Sequence, residues 1–212
     1  MTKPYIVALG GTTRAGSSTQ KALALCLREI ASLGGETHLV SGADLDLPPY
    51  TPGAKLPVRA RNIVAELRRA DGVILGTPGY HGGISGLVKN ALDYVEELRT
   101  DERPYLEGRA IGCVVTAAGE QGAVSTLLAL RSVVHALRGW PTPLGAAIVT
   151  IGETFDSAGG CLSEKVDVQL RTLSQQVLLY ANLQRCLRQG PELDSSSITD
   201  VPMFSLSSPR RT

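Results

Sequence analysis

Short apolar runs alternate with helix-period segments along most of the chain, and this alternation restricts the architecture more than any other feature. Pro4–Leu9 (PYIVAL) is a continuous apolar run rich in strand formers, as expected of a strand buried on both faces. A helical period follows, with Leu23, Cys26, Leu27, Ile30 and Leu33 on one side and Gly34 as its stop. Glu36–Val40 reads as a weaker second strand. Leu47–Pro57 contains four prolines and a glycine and is a loop, with Pro57 suited to the first turn of the next helix. That helix carries Ile63, Val64 and Leu67. Val73–Leu75 opens a third strand, closed by Gly76-Thr77-Pro78. Apolar positions from Ile84 to Leu98 then recur at three and four, the strongest helical pattern present. Ala110–Ala117 is a fourth strand, followed by a helix marked by Val124, Leu127, Leu128, Val134 and Leu137. Ala146–Ile151 is a fifth strand, and a long helix runs from Leu162 to about Leu187. From Gln189 onward six serines and three prolines appear without a period, so a domain over 1–188 and a flexible tail over 189–212 are expected.

Five strands alternating with five helices predict an α/β fold of three layers, a parallel sheet with helices on both faces. Five is the flavodoxin-like strand count, with order 2-1-3-4-5, and ligands in such sheets bind beyond the carboxyl ends of the strands. Hydrophobic residues make up 43% and charged residues 19%, enough to bury a core and to exclude disorder as the main state. Lys and Arg number 21 against 20 Asp and Glu, for a net charge of +1 and no basic block. A nucleic-acid or anionic-membrane surface is therefore not expected. No window approaches about 18 uninterrupted apolar residues, so no membrane span is expected, and the turn at Gly10-Gly11 comes too early for a signal peptide. The four cysteines (Cys26, Cys113, Cys161, Cys186) form no C-x-x-C pair and have no histidine at ligand spacing. Reduced structural thiols, no metal site and a cytoplasmic location are the expectation.

The turns after the first, third and fourth strands are unusual. The first, Gly10 to Thr19, fits neither G-x-G-x-x-G nor the P-loop spacing. Thr12, Arg14, Ser17, Ser18 and Thr19 nonetheless offer hydroxyls and a guanidinium beside the free amides of a helix N-terminus, donors that a terminal phosphate monoester requires. The bland alternative is a polar turn in which Ser17 only caps the helix. The turn after the third strand, Thr77 to Gly86, combines four glycines and a proline with the planar side chains of Tyr80 and His81. Bare backbone at Pro78, Gly79, Gly82 and Ile84 would suit a flat heteroaromatic ligand; taken alone, the stretch also reads as an ordinary glycine-rich loop. His81 has no partner residue that would make it a base or a metal ligand. Lys89 and Asp93 are spaced for an i, i+4 ion pair.

In this order, Gly11-Thr12-Thr13-Arg14-Ala15-Gly16-Ser17-Ser18-Thr19 and Thr77-Pro78-Gly79-Tyr80-His81-Gly82-Gly83-Ile84-Ser85-Gly86-Leu87-Val88-Lys89-Asn90-Ala91-Leu92-Asp93 resemble the two motifs of the NAD(P)H-dependent FMN reductases. Thr12 stands where the family usually has Ser, Thr19 where it has Asn, Gly79 where it has an acid and His81 where it has Asn. Thr116, Ala117, Gly119 and Gly122 match its third, glycine-rich turn. The resemblance spans roughly residues 4–150. It implies FMN with its phosphate at residues 12–19 and its ring between 78–84 and 116–122, and NADPH or NADH as hydride donor. Hydride transfer would be carried by the flavin, with no catalytic side chain and no metal. It further implies a homodimer or tetramer, with reduced flavin supplied to a flavin-dependent monooxygenase. The alternative is a reductase that keeps its FMN and reduces quinones, azo dyes, nitro compounds or metal oxyanions.

Overall fold

The computed structural model describes residues 3–150 and 154–189. Its elements, in chain order, are β1 (Tyr5–Gly10), α1 (Ser18–Ser32), β2 (Glu36–Val40), α2 (Val58–Arg69), β3 (Gly72–Tyr80), β4 (Gly83–Ile84), α3 (Gly86–Asp93), β5 (Ala110–Ala117), α4 (Glu120–Ala136), β6 (Trp140–Pro141), β7 (Ala146–Val149) and α5 (Glu164–Gln189). Short 3-10 turns occupy Gly42–Leu45 and Tyr94–Leu98.

β2, β1, β3 and β5 run parallel in that order, and β6 and β7 share the outer side of β5. The sheet has seven strands where five were expected, because β4 and β6 are two-residue additions. The principal order remains 2-1-3-4-5, and the flavodoxin-like fold class holds. Every residue of β1 and β5 is buried, and alternate side chains enter opposite cores, as a period of two requires. Val7, Leu9, Val73, Leu75 and Val115 pack with α2, α3 and α4; Ile6, Ala8, Ile74 and Val114 pack with α1 and α5.

Local signals fix the helix ends. Ser17 caps α1 by accepting from the Gln20 amide at 3.3 Å, and Gly34, at φ 89°, ends it by adopting a conformation that side chains disfavour. Ser85 caps α3 in the same way through the Val88 amide. The helical pattern that continues to Leu98 is α-helical only to Asp93 and tightens to 3-10 beyond it. Lys89 and Asp93 form the expected pair. The outer edge of the sheet is interrupted between β6 and β7, where Thr142 donates its hydroxyl to the Leu144 carbonyl at 2.7 Å. The fifth strand ends at Val149; Ile151 and the tail from residue 190 lie outside the described residues. Gln189, expected in the tail, is the last residue of α5.

The amino ends of the strands meet in a charged cluster. Asp71, 7% exposed, accepts from the Tyr5 amide, Arg185 and Arg188. Arg109, 1% exposed, donates to the carbonyls of Ala70, Tyr105, Glu107 and Arg68. These include the free carbonyls at the carboxyl end of α2, where a cation is favoured. Burial, reinforced by Arg103 and Arg188, pushes the Arg109 guanidinium down to about 9.

Candidate functional site

Parallel register brings the three unusual turns to one end of the sheet. Gly10 pairs with Gly76, and Pro78 with Thr116. At Gly10, with φ 147°, a Cβ would lie 1.8 Å from the Gly76 carbonyl oxygen, so only glycine lets β1 turn there into the loop.

The first turn is closed from within. The Thr12 hydroxyl accepts from the Arg14 amide at 3.2 Å, and Gln20 Oε1 accepts from the Gly16 amide at 2.8 Å. Gln20 also donates to the Ser41 hydroxyl at 3.1 Å, tying the turn to the end of β2. Arg14 is exposed, and among the described residues its guanidinium has no partner. Ser18 is half-buried, its hydroxyl without a partner among the described residues, and the space a Cβ would enter at Gly16 is open. Ser17 is buried at 3% exposure and caps α1, so the bland reading of that residue and an anion cradle coexist on one helix N-terminus.

Thr19 and Thr116 are placed differently from the other polar residues. They are 1% and 5% exposed, and their hydroxyl oxygens are 2.6 Å apart. They bridge the first turn to the third, across 97 residues of sequence.

The turn after β3 is a hairpin rather than an open loop. Gly79 pairs with Ile84 and Tyr80 with Gly83, leaving His81 and Gly82 as a two-residue connection with φ 52° and 77°. Two successive positive φ values identify a type I′ turn, in which Asn is favoured and His tolerated at the first position. The Thr77 hydroxyl accepts from the Ser85 amide at 3.0 Å and donates to the Pro78 carbonyl, anchoring the hairpin base. A Cβ at Gly79 would lie 2.9 Å from Thr126 Oγ1 and 3.2 Å from the Gly122 carbonyl oxygen; an acidic side chain has no room there. Tyr80 is 56% exposed and stands on the outer surface of the hairpin.

The third turn opens α4. Gly119 is its N-cap with no side-chain bond to the first-turn amides, and a Cβ there would meet nothing within 4 Å. Ala117 is buried and Gly122 packs under Gly79. A cleft of about 340 Å³ continues outward from this turn, between Glu120 and Val124 of α4, Val149 of β7 and Lys165 of α5.

Sequence reasoning missed Gln20, Thr77 and Asn90. Asn90 accepts from the Tyr50 amide and donates to the Leu47 and Pro48 carbonyls, holding the proline-rich loop against α3. Tyr50 donates to Glu97 at 2.8 Å, and burial together with that carboxylate pushes its hydroxyl up to about 12. All four cysteines are free thiols. Cys26 and Cys113 are buried as expected, Cys161 is partly exposed, and Cys186 is exposed because it lies on the outer side of α5. Among the described residues no three His, Cys, Asp or Glu gather as a metal site, and no helix is long and apolar enough to cross a membrane.

Residues 4–154 match the family model described as NADPH-dependent FMN reductase. An FMN-dependent NADPH-azoreductase of Staphylococcus haemolyticus is 31% identical over 114 residues, covering 53% of this chain and 54% of that one. The iron-sulfur flavoprotein MJ1083 of Methanocaldococcus jannaschii is 29% identical over 131 residues, 58% of this chain and 67% of that protein. The chain thus spans about half the length of the azoreductase it matches. Among solved structures, FerB, a flavoenzyme NAD(P)H:(acceptor) oxidoreductase from Paracoccus denitrificans, superposes with a TM-score of 0.72 at 21% identity, over 85% of this chain and 98% of that one. With the family model covering well over half of its length, the chain belongs to the NADPH-dependent FMN reductase family.

Proposed function

We propose that this chain binds FMN across the three turns and catalyses NAD(P)H-dependent reduction of that flavin. One observation carries the reading. An exposed Arg14, unpartnered among the described residues, and an uncapped α4 N-terminus stand at the same end of the sheet, beside two glycine positions, 16 and 119, that border open space. FMN fits these groups. Its phosphate suits Arg14, the Ser18 hydroxyl and the amides of the first turn, which supply a charge-assisted donor and a positive helix end. Its ring suits the backbone of Pro78–Gly82 and Ala117–Gly119, where the absence of bulky side chains permits close approach.

When bound, FMN supplies the hydride chemistry, and the protein is left to bind, orient and exclude water. Arg14 holds the anionic end in register. The hairpin presents a flat backbone surface, and Tyr80 at its rim offers a ring against which a second planar group can pack. Neither task needs a base, so His81 is assigned to the turn and not to the chemistry. Dimerisation and delivery of reduced flavin to a monooxygenase are the further parts of this reading. FMN retained through turnover, with an organic acceptor, is the second reading. It gains support from the hairpin, in which β4 is paired to β3 through Gly79–Ile84 and Tyr80–Gly83, a bonded surface in place of an open loop.

Dialysis followed by stopped-flow kinetics tests both. NAD(P)H oxidation that requires added FMN supports the first. FMN carried stoichiometrically through gel filtration, with faster reduction of a quinone than of added FMN, supports the second. Equal affinity for FMN and riboflavin would remove the phosphate assignment.

A further inference from the structure

We infer that the Thr19–Thr116 hydroxyl pair is a strut that sets the gap between the phosphate-holding turn and the ring-holding turn, so that it acts on FMN through the loops and not by touching it. The inference rests on the flavin reading above. Thr19 lies in the first turn of α1 and Thr116 one residue from the end of β5, and the 2.6 Å oxygen separation is the direct side-chain bond between those two turns. Exposures of 1% and 5% leave neither hydroxyl open to a ligand the size of a phosphate or a ring.

The bond is also well placed to transmit position. Thr116 is in register with Pro78, the first residue of the platform, so fixing Thr116 fixes the hairpin base as well as the α4 turn. Thr19 follows directly on Ser17 and Ser18, so its anchoring sets where the α1 amides point. A phosphate and a flavin ring joined by a ribityl chain can be held at both ends only if the two receptors stand at one separation. A ligand bound by one end alone does not sense that separation.

Each hydroxyl carries one proton, and donation from one threonine to the other accounts for one of the two. Replacing either residue with valine keeps shape and removes the bond, and serine restores it. Thr19→Val and Thr116→Val should each weaken FMN about three- to tenfold, the value expected for one neutral hydrogen bond. The double variant should be no weaker than the weaker single, because the two changes delete the same contact. Affinity for lumiflavin, which has the ring only, and for inorganic phosphate should change less than twofold. Thr19→Ser should recover wild-type FMN affinity.

Equilibrium titration by flavin fluorescence and calorimetry, with melting curves on every variant, reads these values. A parallel loss of FMN and lumiflavin, additive single effects, or unchanged FMN affinity would overturn the strut. If Thr19→Val fails to fold, Thr116→Val and Thr116→Ser carry the same comparison on the other end of the bond. Wild-type protein that binds no FMN would overturn the flavin reading and the strut together, whereas FMN binding indifferent to both threonines overturns the strut alone.

Discussion

The two ends of the sheet use arginine in opposite ways. At the amino ends, Arg109 is buried and directs its donors at four backbone carbonyls, while Arg185 and Arg188 close on Asp71. At the carboxyl ends, Arg14 stands in solvent with no partner among the described residues, above a helix N-terminus that already carries positive potential. A guanidinium whose donors are all engaged by its own chain holds the fold. One left beside a like-signed helix end is poised for an anion that the chain does not supply. The difference sets a structural arginine apart from the one assigned to the proposed site.

Breaking the amino-end arrangement should produce the largest effect. Arg109→Met leaves the carbonyls of Tyr105 and Glu107 without this donor and those of Ala70 and Arg68 with Arg103 alone, and a loss of about 3–5 kcal/mol is expected, read as a fall in melting temperature on the order of 10 °C. FMN affinity of the protein that remains folded should be unchanged. The matching change at the other end should invert the pattern. Arg14→Ala should weaken FMN about 10- to 150-fold, with a melting temperature of the ligand-free protein within about 1–2 °C of wild type. A stability loss for Arg14→Ala as large as that for Arg109→Met would erase the distinction.

Two smaller changes sharpen it. Gly79→Ala forces a methyl group against Thr126 and the Gly122 carbonyl and should cost about 1–3 kcal/mol, together with weaker ring binding, because the hairpin must lift from α4. Chemical denaturation and a lumiflavin titration check the two parts. The cysteines give the mildest contrast. Burial pushes the Cys26 and Cys113 thiols up to about 12, so maleimide should label Cys186 and then Cys161 in the native protein, with Cys26 and Cys113 reacting only on unfolding. Because those two values are raised from 9, the stability they contribute is complete below pH 9 and lost as pH rises from 9 toward 12. Denaturation midpoints measured across that range should fall.

Much of this was legible in the residues. β1 and β5 are apolar stretches of six and eight residues, interrupted in β5 only by Thr116, short and rich in β-formers, and so read as strands covered on both faces. The polar turn that follows β1 stood out for the same reason, since Arg14 and the hydroxyls around it interrupt that apolar background, and it remains the proposed phosphate end of the candidate site. What escaped was non-periodic. Two residues cannot display a period, so β4 and β6 gave no signal, and with β4 missing the hairpin looked like a loop. His81 at a positive φ was unreadable because histidine prefers that conformation only weakly. The Thr19–Thr116 and Gln20–Ser41 bonds join residues whose proximity exists only after the sheet has formed, and no local pattern encodes them.

The interrupted outer edge has a consequence for how the protein behaves in company. A sheet that ends on a long straight strand offers a row of free amides and carbonyls to any neighbouring chain. Here the border of β5 is covered by a two-residue and a four-residue piece, with the Thr142–Leu144 kink between them. Pro141 and Pro143 remove two donors from that margin. No stretch of it is long enough to template a strand from a second molecule. That edge therefore gives a second molecule little backbone on which to extend the sheet, in contrast to the opposite edge, where β2 offers an unbroken five-residue strand.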